Sequence, residues 1–253
     1  MVEGTYGSLS GKAVVVTGGA SGIGEELVRR FVEHGAKVGF IDKCEQAGWS
    51  LERMLSDSLT PPVFLPLDLT NLSEIEPAVS GLIARLGGAD VLVNNAANDE
   101  RHILSEITPS YWHDRMAVNL DHFVFMIKSV VPAMEAAGCG VILNMGSCSW
   151  RLGLGGMTAY VTAKAAIEGL TNGLARELGQ KRIRVNCVIP GFVRTPRQVE
   201  RWLTPKFEEA VFNGQCLPDF IEPRDVANLV TFLASDQARM CTSGSYTVDG
   251  GWI

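Results

Sequence analysis

The sequence predicts an α/β fold, a single doubly wound parallel sheet of about seven strands with helices on both faces. Apolar runs rich in β-branched residues alternate with amphipathic segments along the whole chain, as buried strands and surface helices do in such folds. A glycine-rich turn also joins the first apolar run, 13–16, to the first helical segment. Both observations favour repeated strand-helix units over an antiparallel or all-helical arrangement.

Each element is assigned from its own periodicity and from the turn residues that bound it. The predicted strands span 12–17, 36–41, 62–67, 89–94, 139–145, 182–189 and 244–248. The predicted helices span 22–34, 45–56, 72–85, 109–137, 157–180 and 222–235. Residues 196–220 contain three prolines and a glycine and are predicted to form a mobile lid. Residues 1–253 are predicted to form one domain, because α/β chains of this length need not divide.

The net charge and the hydropathy of the chain limit the kinds of partner that it is expected to bind. The net charge of −6 and the pI near 5.3 would repel nucleic acid and anionic membranes. No apolar run approaches the roughly 18 residues of a membrane span, and residues 1–9 have no basic segment typical of a secretion signal. We therefore expect neither a nucleic-acid nor a membrane partner.

Cysteine and histidine spacing points to reduced thiols and to no metal site. The six cysteines are scattered without a C-x-x-C pair, and the four histidines are spread over several segments of the chain. Such a pattern is typical of a cytoplasmic protein. Cys148 has no histidine nearby in sequence and is interpreted as a packing residue.

The glycine-rich turn predicts a dinucleotide phosphate site. Gly18 permits a tight turn, Gly22 lets the backbone approach a pyrophosphate, and Gly24 lets the helix pack against its strand. Ser21 and Ile23 lie at the same helix start, where free N–H groups and the positive end of the helix dipole attract phosphate.

The second predicted strand is followed by Asp42, near the expected spacing of about 20 residues for an acid that binds the adenosine ribose. A carboxylate there favours NAD and repels the 2′-phosphate of NADP. Lys43 follows directly and would soften that repulsion. We expect NAD as the cofactor, with NADP as a weaker alternative.

Tyr160 and Lys164 stand one helical turn apart, which puts a phenol and an ammonium on the same helix face. A nearby cation favours the phenolate and lowers the pKa of a tyrosine from its usual value of about 10. Tyr160 is therefore a candidate general base.

Together these motifs resemble the short-chain dehydrogenase/reductase family over essentially the full chain. The resemblance also rests on Asn94-Asn95-Ala96-Ala97, Asp68-Leu69-Thr70, Asn119, Ser147, and Pro190-Gly191 followed by Val193 and Thr195. Ala97 stands where the family usually has glycine, a departure of one methyl group.

The resemblance implies a role for each matching residue. It implies that Tyr160 is the base, that Ser147 positions the substrate oxygen, that Lys164 also holds the nicotinamide ribose, and that Asn119 supports a water for proton exit. The further cofactor contacts that it implies are Asp68, Leu69, Asn95, Ala96, Pro190, Gly191, Val193 and Thr195. It also implies a homotetramer or homodimer built on the helices of Asn119 and Tyr160, for which the available packing residues are Met126, Val130, Met134, Ile167 and Leu174.

Polar and aromatic residues in the loops after the fourth and fifth strands predict a polyhydroxylated substrate. They are Asn98, Asp99, Arg101, Ser149, Trp150 and Arg151, beside Ser147 and Tyr160. These loops resemble those of the family's bacterial NAD-dependent D-xylose 1-dehydrogenases, which implies a sugar oxidised at C1. Three alternatives stay open: a ketoreductase acting on a 3-oxoacyl or keto-acid substrate, a nucleotide-binding protein without catalysis, and a structural protein.

Overall fold

The computed structural model of the protein describes residues 6–253. Residues 1–5, part of the segment on which the absence of a secretion signal was predicted, lie outside the described residues. The chain forms a seven-stranded, fully parallel sheet in the order β3-β2-β1-β4-β5-β6-β7. The strands are β1 (Ala13–Thr17), β2 (Lys37–Asp42), β3 (Val63–Pro66), β4 (Val91–Asn94), β5 (Gly140–Met145), β6 (Ile183–Pro190) and β7 (Ser245–Val248). This sheet confirms the predicted fold class.

Helices cover both faces of the sheet. They are α1 (Gly22–Glu33), α2 (Glu45–Met54), α3 (Leu72–Leu86), α4 (Pro109–Met116), α5 (His122–Ala137), α6 (Thr158–Leu178), α7 (Pro196–Arg201), α8 (Pro205–Gly214) and α9 (Pro223–Ala234). In β1, Val14 and Val16 join the core that contains residues of α1 and α9, whereas Val15 joins the core that contains residues of α3 and α5. Alternate residues of the strand are thus buried on opposite faces of the sheet, which explains why the strands appear in the sequence as continuous apolar runs.

The chain reverses its winding between β1 and β4, which are neighbours in the sheet although two strands separate them in sequence. In an open parallel sheet, ligands bind beyond the carboxyl ends of the strands at such a switch point. The loop after β1 carries the glycines, and the loop after β4 carries Asn95 to Arg101. The fold therefore brings these two loops to one edge.

The predicted lid contains two short helices, α7 and α8, rather than an irregular loop. Proline stands at the start of each, and Thr195 and Thr204 accept hydrogen bonds from the backbone N–H groups of Gln198 and Phe207. Proline at the first helical position and threonine at the N-cap both favour helix initiation. Two of the three prolines in this segment, Pro196 and Pro205, thus start helices, whereas Pro218 lies in a bend after α8.

The predicted helix 109–137 is interrupted by a π-helical turn, Ala117–Asp121, between α4 and α5. By length and composition, Pro109–Ala137 is long and apolar enough to cross a membrane, contrary to the expectation that no segment would be. Its apolar residues Met126, Ile127, Val130 and Met134 pack in the core against the sheet, so part of this hydropathy belongs to the core of the protein.

Those same side chains correct the predicted subunit interface. Met126, Val130, Met134 and Ile167 are fully buried within the subunit, and Leu174 packs against the core. The four fully buried side chains offer no surface to a second subunit, whereas Leu174 is only partly buried. On α5 the exposed apolar residues are instead Val124 and Phe125.

Candidate active site

A cavity of about 520 Å³ opens at the carboxyl edge of the sheet, where the switch point lies. That size is within the usual range for a small-molecule site. Every residue predicted to bind the cofactor borders it: Gly18, Ser21, Gly22, Ile23, Gly24, Asp42, Lys43, Asp68, Leu69, Asn95, Ala96, Tyr160, Lys164, Pro190, Gly191, Val193 and Thr195. The fold thus gathers residues from five strand ends into one elongated site.

Two glycines of the turn, Gly18 and Gly24, stand where there is no room for a side chain. Gly18 has a φ of 64°, and a Cβ there would lie 2.8 Å from the Cα of Ala96. A Cβ at Gly24 would overlap the carbonyl oxygen of Gly18, so α1 packs directly against its own strand. The start of α1 faces the cavity with backbone N–H groups and the positive helix end, a cradle that fits a pyrophosphate. These residues therefore fit a dinucleotide.

Asp42 ends β2 beside this cradle. Its carboxylate accepts hydrogen bonds from the N–H of Ala20 at 3.1 Å and of Cys44 at 2.9 Å, which holds the acid at the cavity edge. The Lys43 ammonium is directed to Asp68, 3.9 Å away, and both side chains are substantially exposed. Burial acts to raise the pKa of Asp68, but hydrogen bonds from Thr70 and the charge of Lys43 lower it overall.

The loop after β4 is fixed to the glycine turn. Asn95 donates from its amide to the carbonyls of Thr17 and Gly18, at 3.0 and 3.1 Å. The Thr17 hydroxyl accepts from the backbone N–H groups of Asn95 and Ala96. Asn95 therefore positions the two loops relative to each other and presents Ala96 to the cavity.

His122 is a site residue that the sequence did not single out as functional. Its Nε2 lies 3.1 Å from the carbonyl oxygen of Ala96, so that nitrogen carries the proton and donates it. Complete burial, aided by the charge of Lys164, lowers the pKa of His122 to about 4. The imidazole is thus neutral at physiological pH and holds the Ala96 carbonyl in place at the cavity wall.

Tyr160 and Ser147 both border the cavity and are joined by a hydrogen bond. Burial raises the pKa of Tyr160, while a hydrogen bond with Ser147 acts in the opposite direction. The Ser147 hydroxyl lies 2.9 Å from the Ser149 hydroxyl and accepts from the Ser149 N–H at 3.2 Å. These contacts bring a phenol and a hydroxyl together at the cavity wall, an arrangement that can act on one substrate oxygen.

Lys164 lies one turn further along α6 and is 1% exposed. Its ammonium donates to the carbonyl of Met145 at 2.6 Å and stands 5.5 Å from the centre of the Tyr160 ring. Burial lowers the pKa of Lys164 to about 8. Contrary to the expected lowering, the pKa of Tyr160 lies above its usual value, because the phenol is buried.

Asn119 lies within the π-helical turn and is fully buried. Its amide donates to the carbonyls of Asn98 and Arg115, at 3.1 and 2.9 Å, and its oxygen accepts from the Asn98 N–H at 2.8 Å. Both amide hydrogens are thus used by backbone carbonyls, while Oδ1 keeps a second lone pair. Asn119 does not border the cavity and acts on it through the loop after β4.

The polar wall beside Tyr160 consists of residues from the loop after β4 and from the lid. Asp99 accepts hydrogen bonds from Gln198 at 2.7 Å and from Arg197 at 3.2 and 3.3 Å. Arg101 stacks on Trp202, with its guanidinium carbon 4.9 Å from the ring centre. The charges of Asp99 and Arg101 both act on the Tyr160 phenol, in opposite directions.

Trp150 and Arg151, predicted to contact a sugar, are turned away from this wall and do not border the cavity. The Trp150 indole N–H and the Arg151 guanidinium each donate to the Glu168 carboxylate at 2.7 Å. The short 3-10 turn Cys148–Trp150 sends both side chains toward the outer face of α6. Of the predicted substrate residues, the cavity is bordered by Asn98, Asp99, Arg101, Ser147, Ser149 and Tyr160.

Other cavity residues were missed in the sequence. They include Met157, Phe192, Gln198 and Trp252. Gln198 lies in the lid and Trp252 at the chain end, where periodicity carries no information about which side chains face inward. The one available signal was proximity to a matched motif, since Phe192 follows Gly191 directly.

Two further features of the site are the arrangement of its potential metal ligands and the state of the Cys148 thiol. Within residues 6–253, no group of three or more His, Cys, Asp or Glu side chains is arranged to hold a metal ion. Burial raises the pKa of the Cys148 thiol to about 12, so it is protonated at neutral pH and a poor nucleophile.

Known proteins share this architecture along the whole chain. A family model described as enoyl-(acyl carrier protein) reductase matches residues 18–253. The chain is 48% identical to "D-xylose 1-dehydrogenase" of Caulobacter vibrioides, with 100% of both chains covered. It is 38% identical to "Probable galactose dehydrogenase GalD" of Rhizobium meliloti, covering 97% of this chain and 96% of the relative. A crystal structure of a blue fluorescent protein from a metagenomic library, in complex with NADPH, superposes with a TM-score of 0.90 at 34% identity, covering 97% of this chain and 99% of the other.

The protein belongs to the short-chain dehydrogenase/reductase family. It is an oxidoreductase of that family, and its cavity fits a nicotinamide dinucleotide.

Proposed function

We propose that the protein oxidises an aldopyranose, D-xylose or a related pentose or hexose, at C1 to the aldonolactone with NAD. The observation that carries this proposal is the cavity end where Ser147 and Tyr160 face a polar wall containing Asp99, Arg101 and Gln198. Charged and amide groups in a cavity favour a ligand with several hydroxyls, because an apolar ligand would leave them unpaired. The relatives named for D-xylose and galactose support the same substrate class.

In this mechanism, Ser147 holds the anomeric hydroxyl by a hydrogen bond and Tyr160 accepts its proton. The Tyr160 pKa is raised by burial, so the phenolate needs nearby positive charge. The Lys164 ammonium, which lies near the Tyr160 ring, supplies that positive charge. A bound oxidised nicotinamide supplies the hydride acceptor. The residues of this chain contribute the orientation of C1 and the removal of the proton.

Asn119 is proposed to guide the proton to solvent. Its Oδ1 lone pair that is not used by Asn98 can accept from one water, and the amide otherwise fixes the loop that carries Asp99. The role is a positioning one, since the side chain lies outside the cavity wall.

The cofactor preference is proposed to depend on Asp42. Asp42→Ala deletes an acceptor for the ribose hydroxyls and the charge that repels a 2′-phosphate. Loss of hydrogen bonds to a charged group is worth about 1.5–3 kcal/mol, so we expect the KM for NAD to rise at least about tenfold and the KM for NADP to fall. Steady-state kinetics with both cofactors measures the ratio.

Lys43→Ala is the matched control for this prediction. Its ammonium is exposed and directed to Asp68, so its removal should change the NAD to NADP ratio far less than Asp42→Ala does. An unchanged ratio in Asp42→Ala, with a shifted ratio in Lys43→Ala, would assign cofactor choice to the lysine.

The competing function is reduction of a 3-oxoacyl or keto-acid substrate. Phe192 and Phe207 form an apolar pair at the cavity wall, with ring centres 5.1 Å apart, that suits an acyl chain. A 3-oxoacyl-[acyl-carrier-protein] reductase of Chlamydia muridarum is 34% identical over 96% of this chain and 98% of its own. Initial rates with NAD across aldopentoses and aldohexoses, beside NADPH consumption with 3-oxoacyl thioesters, separate the two. Turnover of acyl substrates alone would overturn the sugar proposal.

We propose that the protein assembles as a homodimer or homotetramer through the outer faces of α5 and α6. Val124 and Phe125 on α5 are 43% and 37% exposed, which supports an apolar contact there. Light scattering at micromolar concentration should give a multiple of the 27.3 kDa chain. Phe125→Asp should reduce that mass, whereas Met54→Asp, an exposed residue on α2, should not. A wild-type mass of one chain would contradict the assembly.

A cytoplasmic location is proposed, with a small-molecule sugar as the substrate and no nucleic-acid or membrane partner. The six free cysteines and the net charge of −6 support it.

A further inference from the structure

The chain end folds back onto the site. After β7 the backbone reverses at Gly250 and Gly251, which have φ values of 65° and 82°. The Asp249 carboxylate, 3% exposed, accepts hydrogen bonds from the N–H groups of Gly251, Trp252 and Ile253, at 3.0, 3.2 and 2.8 Å. A single buried carboxylate thus gathers the last three N–H groups of the chain and fixes the direction of Trp252.

Contacts with neighbouring segments hold this tail in place. The Gly250 carbonyl accepts from the N–H of Cys216 at 2.8 Å and of Leu217 at 3.1 Å. Gly191, at the end of β6, lies so close to the tail that a Cβ there would be 2.9 Å from the Asp249 Cα. The tail is therefore attached to the lid on one side and to the cofactor loop after β6 on the other.

Trp252 brings an aromatic ring to the cavity from this tail. The indole packs over Gly214 at the end of α8, so closely that a methyl group at that position would overlap the ring. The same side chain borders the cavity that contains Ser147 and Tyr160. Trp252 therefore contacts the lid at Gly214 and also borders the cavity.

We propose that Trp252 is a specificity residue that packs against the apolar C–H face of the sugar ring, with Asp249 as the residue that positions it. A pyranose presents hydroxyls at its edge and C–H bonds on its faces, so a site for it needs a flat apolar surface as well as polar groups. Asp99 and Gln198 offer the polar groups. Trp150, the aromatic residue expected to cover the ring, is bound to Glu168 outside the cavity. This inference rests on the proposed function.

Trp252→Leu keeps an apolar side chain but removes the flat ring, and Trp252→Phe keeps an aromatic face. We expect the sugar KM to rise about tenfold or more in the leucine variant and less in the phenylalanine variant, with the NAD KM within about twofold of wild type. Asp249→Ala should raise the sugar KM in the same direction. Trp49→Leu on α2, outside the cavity, is the matched control and should leave both KM values unchanged.

A binding measurement separates contact from mere structural support. Sugar titration should quench tryptophan fluorescence in the wild type and in Trp150→Phe, and the quenching should be largely lost in Trp252→Phe. Trp252→Leu with an unchanged sugar KM, or with equal rises for sugar and NAD together with a lower melting temperature, would overturn the assignment. Failure of the wild type to reduce NAD with any aldose is a different result, since it overturns the proposed function itself.

Discussion

Tyr160→Phe is expected to lower kcat by about 10²–10⁴, the usual contribution of a general base. The variant keeps the aromatic ring that lies beside Lys164 on α6. It removes the phenol oxygen that is proposed to accept the substrate proton. NAD binding and the melting temperature should stay near wild type, because the buried phenol makes its hydrogen bond with Ser147 and not with the nucleotide cradle. Stopped-flow and steady-state rates with the preferred sugar measure the loss.

Tyr246→Phe is the matched control, because Tyr246 lies on β7 away from the cavity and loses the same hydroxyl. It should keep wild-type turnover. If Tyr160→Phe retained more than about a tenth of wild-type kcat, the base would have to be another group.

Lys164→Met is expected to reduce kcat/KM by about 10²–10³, comparable to the loss of one preorganised charge or donor at a reacting oxygen. Methionine preserves much of the side-chain volume but deletes the ammonium that lies 5.5 Å from the Tyr160 ring. Because burial already raises the pKa of the phenol, the loss of a nearby positive charge should disfavour the phenolate further. The optimum of the pH profile should therefore move to higher pH, which a rate profile from pH 6 to about 10 would reveal.

Lys128→Met provides the comparison for this variant, since Lys128 is an exposed lysine on α5 paired with Glu76. It should leave the rate and the pH optimum unchanged. A pH optimum in Lys164→Met equal to that of wild type would mean that the ammonium does not tune the phenol, even if turnover fell.

The nucleotide half of the site was predictable because its chemistry depends on backbone shape. Gly18 and Gly24 are required where a Cβ would meet neighbouring backbone, and Asp42 is the last residue of a strand whose end must reach the same edge. Such constraints leave a fixed spacing in sequence, and all the residues predicted from them border the cavity.

The substrate half was less predictable because side-chain direction in loops has no period. Trp150 and Arg151 have the right chemistry, but the 3-10 turn that contains Trp150 directs them to Glu168, which lies 17 or 18 positions further on in α6. Trp252 and Gln198 reach the cavity from the chain end and the lid, and no spacing connects them to the catalytic pair. Contacts between distant segments, rather than local patterns, decide these positions.

The central claim, that the carbon losing hydride is C1 of a sugar, is tested most directly with D-xylose carrying deuterium at C1. Incubated with NAD and the wild-type protein, this sugar should transfer its deuterium to the nicotinamide ring, and mass spectrometry should find reduced cofactor one mass unit heavier beside xylonolactone or its hydrolysis product. Reduced cofactor without deuterium, or deuterium retained in the sugar while an acyl substrate is turned over, would contradict the account.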